Sequence, residues 1–282
     1  MNILKKFFLR AKDFFFPETC ALCAGNFVAR SAGNYVARSG GSLIDSSEIR
    51  YGLCLDCQAS IDLVQGNKRE GNFAAKCEMC GKPLISEIGM CLPCRNGGER
   101  SYERLWVLFP YIGKYRKLLT AYKFGKNFAL ADFFAEKIME EISGISAGLP
   151  ELKDAVIVPV PPRPGKIKET GWDQIDYLVK RLEKLPGCPP VCRCLRRKKS
   201  KAQKNLSRAE RLENLKGRIY INNASAAAFF GGASAAFSGF AASSSFILID
   251  DVITTGSTIE VCSAVLKEAG AKKVYGICLF FD

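Results

Sequence analysis

The 282-residue sequence contains no histidine. That absence removes Ser/His/Asp and Cys/His nucleophilic catalysis, and it excludes mixed Cys/His zinc sites, so any zinc site here must be built from thiolates. Long apolar runs are missing too: 48% of residues are hydrophobic, yet no stretch approaches the roughly 18 to 20 residues a membrane-spanning helix requires. The expectation is a cytoplasmic globular protein without stable membrane insertion, long enough for two domains. The opening segment sets Ile3, Leu4, Phe7, Phe8, Ala11, Phe14 and Phe15 on one helical stripe, with Lys5, Lys6, Arg10 and Lys12 mostly off it. Its apolar stretch is broken and no small-residue cleavage site follows, which argues against a secretory signal. An amphipathic helix of this kind docks on its own protein or, as the alternative, touches anionic lipid peripherally at the inner membrane.

What the chain does have is positive charge, a net +13, and it is concentrated. Between Arg193 and Arg218 lie eleven basic and two acidic side chains, a net of +9 in 26 residues. The dense part comprises Arg196, Arg197, Lys198, Lys199, Lys201, Lys204, Arg208 and Arg211. Such density suits a polyanion. A diphosphate needs only a few positive groups, whereas single-stranded DNA uses a long stripe and binds in a salt-sensitive way, so the surplus favours nucleic acid.

Cysteine is abundant and patterned. Eight of the 13 form four Cys-x-x-Cys pairs, Cys20/Cys23, Cys54/Cys57, Cys77/Cys80 and Cys91/Cys94. The odd total and the pairing fit metal binding in a reducing compartment better than disulfides. Two thiolates separated by two residues can share one metal across a tight turn, so four pairs supply two tetrahedral zinc sites, closed and therefore structural. The second half, with ten residues between Cys80 and Cys91 and Gly81 after its first pair, has zinc-ribbon spacing. The first half spans 30 residues between Cys23 and Cys54 and leaves both consecutive and interleaved pairing open.

These pairs mark a module over residues 1–100. Inside it, Asn26–Gly33 is followed directly by Asn34–Gly41, an eight-residue tandem repeat that reads as a duplicated surface hairpin or loop. From Leu105 onward, short apolar runs alternate with amphipathic stretches, which predicts an α/β domain with a mainly parallel sheet over 101–282. Strands are expected at 104–110, 155–160, 218–221, 246–250 and 274–281. Helices are expected near 114–121, 128–142, 172–184 and 258–269, the last capped by Gly270. The uncharged run 222–245, rich in Ala, Ser, Gly and Phe, lacks a sustained period and reads as a low-complexity insertion, a loop without chemistry.

The most informative run is Phe246-Ile-Leu-Ile-Asp250-Asp251-Val-Ile-Thr254-Thr255-Gly256-Ser257-Thr258. An apolar strand ends in two acids and passes through a hydroxyl-rich turn into a helix. The turn offers free backbone N–H groups and the positive helix end to a phosphate, Gly256 permits close approach, and Thr254, Thr255, Ser257 and Thr258 add hydroxyl donors. The carboxylates of Asp250 and Asp251 can accept hydrogen bonds from vicinal ribose hydroxyls. The run lacks the Gly-Lys-Ser/Thr of a Walker A loop. It resembles the phosphoribosyl-diphosphate signature of type I phosphoribosyltransferases.

With the cysteine module, Tyr111-x-Gly113-x-x-Arg116, Tyr122-Lys123-Phe124, Val158-Pro-Val-Pro-Pro162, Gly171-Trp-Asp-Gln174 and Gln203-x-x-Leu206-x4-Arg211-x-x-Asn214, the chain resembles the ComF family over nearly its whole length. One landmark departs: Thr170-Gly-Trp-Asp-Gln174 stands where those relatives typically carry Arg-Gly-Phe-Asn-Gln. The resemblance implies a type I phosphoribosyltransferase fold behind a double zinc ribbon, with Asp250 and Asp251 as the catalytic pair. It further implies that the loop through Pro161, Arg163 and Lys166 handles a diphosphate whose oxygens Mg²⁺ bridges to the ribose. ComF proteins are associated with uptake of transforming DNA, so the resemblance makes single-stranded DNA and the DNA-uptake machinery the expected partners. Two other readings stay open: a nucleotide-salvage or amidophosphoribosyl-type transferase acting on a nitrogen acceptor, and a non-catalytic zinc-ribbon adaptor.

Overall fold

The computed structural model describes residues 20–24, 27–30, 34–39, 42–43, 51–61, 75–199, 207–230 and 245–282. The amphipathic stripe at 3–15, Lys201, Lys204 and the stretch 231–244 lie outside the described residues. In chain order the elements begin with β1 (Phe27–Arg30), β2 (Asn34–Ser39), β3 (Ser42–Leu43), α1 (Leu55–Ala59), β4 (Ala75–Lys76), β5 (Pro83–Leu84) and α2 (Leu92–Arg95). Then come β6 (Arg104–Pro110), α3 (Gly113–Lys123), α4 (Leu130–Ser146), β7 (Val156–Pro159), α5 (Lys166–Thr170) and α6 (Gln174–Leu182). The series ends with β8 (Leu195–Arg197), α7 (Arg208–Leu215), β9 (Ile219–Ile221), α8 (Asn223–Phe230), β10 (Ser245–Ile253), α9 (Ser257–Glu268) and β11 (Lys273–Phe281).

Contacts divide the chain into two compact units, Met1–Asp62 with Ile112–Phe133, and Leu63–Tyr111 with Phe134–Asp282. In the first unit the two copies of the tandem repeat pair with each other: β1 and β2 run antiparallel with Phe27 opposite Ala37 and Arg30 opposite Asn34. The hairpin reading of the repeat is thereby met. In α3, Leu118, Leu119 and Tyr122 are buried at helical spacing.

The second unit is organised by a four-stranded parallel sheet in the order β6-β11-β10-β7. Phe246, Ile247, Leu248 and Ile249 are all fully buried, which is why this strand reads as an unbroken apolar run and not as an alternating one. Helix α9 lays Ile259, Cys262 and Leu266 on a core shared with Leu105, Val107, Phe246 and Leu248. Phe134 of α4 packs edge-on against Phe280 with ring centroids 5.7 Å apart. The mixed α/β class with a parallel sheet is as expected. The C-terminal end of α9 is closed where foreseen, with Gly270 N–H donating to the Lys267 carbonyl and Ala271 N–H to that of Leu266.

Three elements depart from expectation. Strand β9 pairs antiparallel with β8 in a separate hairpin instead of joining the main sheet. Helix α7 forms behind a capping box in which Glu210 N–H donates to Ser207 Oγ (3.3 Å) and Ser207 N–H to Glu210 Oε2 (2.7 Å). Part of the 222–245 run is helical, not loop. Ser225 N–H donates to Asn222 Oδ1 at 2.9 Å, and Ala226 is buried in the core. High alanine propensity and a good cap outweigh the missing amphipathic period there.

Candidate functional site

Each set of cysteines converges as consecutive pairs: the sulfurs of Cys20, Cys23, Cys54 and Cys57 lie within 4.8 Å of one another, and so do those of Cys77, Cys80, Cys91 and Cys94. A tetrahedron with Zn–S near 2.3 Å has S···S edges of about 3.8 Å; Cys23 and Cys54 stand 3.8 Å apart, Cys80 and Cys91 3.7 Å. Backbone N–H groups of Cys54 and Cys91 point at the sulfurs of Cys20 (3.5 Å) and Cys77 (3.3 Å). Burial raises these two thiols, but donated backbone hydrogen bonds outweigh it and bring each down to about 7. Burial and neighbouring cysteines push Cys57 and Cys80 up, and Cys94 up to about 12. Four sulfurs this close cannot all be thiolates unless a cation balances them. The donor set and its dimensions fit zinc in both places.

The second cluster is fastened to the sheet within its own unit. Leu105 N–H donates to the Met79 carbonyl at 2.9 Å, and a Cβ on Gly81 would stand 2.8 Å from the Leu105 carbonyl oxygen, so only glycine lets the turn lie this close to β6. Ser101 donates from its backbone N–H (2.9 Å) and its hydroxyl (2.8 Å) to Glu260 Oε1 at the start of α9. The cysteine turn, the first strand of the sheet and the helix behind the phosphate-type loop thus form one connected structure.

That loop follows β10. Asp250 and Asp251 lie in the last part of β10, which ends at Ile253; the backbone then passes Thr254 and Thr255, and Gly256, with φ of +76°, turns it into α9. At this left-handed turn lies a small polar recess bordered by Asp250, Thr254, Thr255, Ser257 and Thr258, and the Ser257 N–H donates to Thr255 Oγ1 at 3.4 Å. The Thr255 and Ser257 hydroxyls are 2.8 Å apart. Asp250 Oδ1 accepts the Asp251 N–H at 2.8 Å. Asp251 is 9% exposed and its Oδ2 accepts from Gln174 Nε2 at 2.5 Å.

The Gly171–Gln174 landmark therefore lies beside the acid pair, a proximity that sequence order conceals across 77 residues. Asp173 caps α6 by accepting the Ile175 N–H at 3.2 Å, and the Lys166 ammonium is 3.6 Å from it. Burial raises the Asp173 carboxyl, with Lys166 acting against the rise. Arg163 forms an ion pair with Glu169. Thr170, at the departing position, donates its hydroxyl to the carbonyls of Lys166 and Trp172, each at 2.8 Å, so it closes the turn between α5 and α6. Pro161 follows β7, whose Pro159 is in register with Ile249, and Val160 N–H donates to the Ile249 carbonyl at 3.0 Å. The Pro-rich loop thus leaves the sheet next to the acid pair.

The basic segment divides. Arg211 leaves the surface stripe and donates from Nη1 to Thr254 Oγ1 at 2.8 Å, bordering the recess. Arg196 donates to the carbonyls of Arg193 and Leu195 and, at 3.1 Å, to Ser225 Oγ. Burial lowers the pKa of Arg197, with Cys262 and Asp250 opposing it. Arg193 is bound to Asp176 (2.9 Å) and Glu183 (2.7 Å). Lys198 and Lys199 are exposed, and Lys198 lies 5.1 Å over the ring of Tyr220, itself 40% exposed. The phosphate ligand proposed below for this recess gives Arg211 a direct test: Arg211→Gln should weaken its binding about tenfold, the scale of one charge-assisted hydrogen bond, in a calorimetric titration.

Parallel sheet, strand-end loop with its acid pair and two four-cysteine clusters together define a phosphoribosyltransferase-like α/β protein with zinc-ribbon knuckles. No protein-family model matches the sequence. The chain is 25% identical over 231 residues to competence protein F of Haemophilus influenzae, covering 78% of this chain and 93% of that one. It is 26% identical over 228 residues to competence protein ComFC of Streptococcus pneumoniae (79% and 84% covered) and 25% identical over 244 residues to the DNA utilization protein YhgH of Salmonella typhi (81% and 96%). The chain is thus similar over about four fifths of its length to competence proteins of the ComF type.

Proposed function

We propose that this protein binds phosphoribosyl diphosphate with Mg²⁺ at the loop after β10 and handles single-stranded DNA during natural transformation. The observation that carries the first half is the junction of Asp250 and Asp251 with the Thr254–Thr258 turn and Arg211. The turn's N–H groups and hydroxyls take the 5-phosphate, Arg211 adds positive charge, and the Asp250 and Asp251 carboxylates accept from the ribose hydroxyls. Pro161, Arg163 and Lys166 belong to the loop beside that turn and, in this reading, meet the diphosphate. Bound Mg²⁺ supplies charge neutralisation between the diphosphate and the sugar; it is an oxygen-seeking ion, and carboxylate and hydroxyl oxygens are what this strand end offers. Calorimetry with phosphoribosyl diphosphate, with and without Mg²⁺, tests the site: saturable, Mg²⁺-dependent binding is expected, and no heat in either titration would refute it.

For DNA, the names of the relatives point to competence and DNA utilization, and the surface that suits it is the exposed part of the β8–β9 hairpin. Lys198 lies over the exposed Tyr220 ring, and exposed Lys199 and Arg218 flank these two residues in sequence, with Lys198 N–H donating to the Arg218 carbonyl at 2.7 Å, a combination of cations and an aromatic face on which bases stack. Lys198→Gln with Lys199→Gln should weaken binding of a single-stranded oligonucleotide and flatten its salt dependence by about 0.7 log units per lost phosphate contact. An unchanged slope would move the DNA surface elsewhere.

A further inference from the structure

The Ile253–Thr255 backbone borders two spaces. One is the polar recess; the other is a cavity of about 430 Å³ reaching from this turn to the second cysteine cluster. Nothing in the phosphoribosyl reading uses the second space. Its walls are largely apolar, with Tyr102, Phe281, Ile253 and Pro93, and its charged groups are two cations, Lys82 and Arg100, against one acid, Asp282.

We propose that this cavity binds a small planar aromatic acid, with its ring against Tyr102 and its carboxylate on Arg100, and that the second metal knuckle is one wall of the site. Arg100 supplies the sharpest indication. Among the described residues its buried Nε has no hydrogen-bond partner, while Nη2 donates over a long 3.5 Å to the Pro93 carbonyl. A buried guanidinium N–H without an acceptor is costly, and the planar fork matches a carboxylate in two-point contact. Lys82 adds a second positive charge to the same space. The volume falls in the range of small-molecule sites and is too small for an oligonucleotide. Tyr102 is 4% exposed, and its hydroxyl lies 3.6 Å from where a Cβ on Gly256 would stand, so the ring is fixed between cavity and loop. Such a rigid aromatic wall suits a flat ring.

Cys80, Cys91 and Cys94 border the cavity as well; Lys82 stands two residues after Cys80, Pro93 lies between Cys91 and Cys94, and Arg100 reaches the Pro93 carbonyl. A tetrahedral ion in the cluster therefore fixes where the cationic groups stand. Ring-acid binding should depend on that metal although the acid does not touch it.

The test uses the zinc-loaded full chain and indole-2-carboxylate, with indole as the uncharged control, read by ligand-observed NMR and calorimetry. Saturable binding of the acid is expected, with indole at least about tenfold weaker. Arg100→Gln should cost about tenfold or more in affinity for the acid; if that variant does not fold, Lys82→Gln, at the cavity's other cation, should cost several-fold. Removing zinc with a chelator should abolish binding. No saturation at about 10 mM acid, equal binding of indole, or unchanged affinity in the folded charge variants would overturn the proposal. Phosphoribosyl diphosphate titrated separately into the same protein reports on the recess alone, so the failure of one site is distinguishable from the failure of the other.

Discussion

Replacing Asp250 and Asp251 together by asparagine is expected to weaken phosphoribosyl diphosphate binding by about a hundredfold or more while the protein stays folded. In the proposed site the two carboxylates would act through charge-assisted hydrogen bonds to ribose hydroxyls and attraction to Mg²⁺, and asparagine removes the charge while keeping the shape. Shape matters because Asp251 is nearly buried and accepts from Gln174 at 2.5 Å. Alanine would leave the Gln174 amide without its acceptor, at a cost of about 1 to 3 kcal/mol, and would confuse stability with binding. The asparagine carbonyl still accepts that hydrogen bond. Calorimetry beside a thermal melt separates the two effects: an unchanged dissociation constant would reject the ribose assignment, and a collapsed melting transition would place the pair among the folding determinants.

The other large effect concerns the second cysteine cluster. Cys80→Ser with Cys94→Ser should reduce zinc from two ions to one per chain, as read by elemental analysis of reduced protein. The melting temperature should fall by roughly 10 °C or more, because structural zinc contributes several kcal/mol directly to folding. The reason for so large a drop is connectivity. The Met79 carbonyl holds the Leu105 N–H of β6, and Ser101 holds Glu260 on α9. Loosening the cluster releases the strand and the helix that frame the loop after β10. Zinc content of two in the double variant would show that these cysteines do not hold the metal.

Much of the fold was legible because its signals are local. The run Phe246–Ile249 is apolar without alternation because a parallel strand is covered on both faces, and it is a fully buried strand in the structure. The final helix ended at Gly270 because the Schellman turn requires a residue that tolerates the left-handed conformation. Helix α8 carries no amphipathic period to reveal it in sequence; its alanines favour helix by propensity alone. The capping box that starts α7 stands in the sequence as Ser207-x-x-Glu210, within a segment whose dominant local signal is positive charge.

The candidate sites divide along the same line. Composition and spacing limited the ligand chemistry: with no histidine and four Cys-x-x-Cys pairs, any zinc had to be all-thiolate, and the acid pair before a hydroxyl-rich turn supplied the groups of the sugar-phosphate loop proposed above. Which groups meet was decided only by tertiary structure. Consecutive cysteine pairing, the contact of Gln174 with Asp251, the passage of Arg211 from the basic stripe to Thr254 and the neutralisation of Arg193 by Asp176 and Glu183 all join residues distant in sequence or facing different partners. Residue type fixes what a side chain can bind. Its partner depends on the packing of strands and helices that carry it there, and no local pattern encodes that distance.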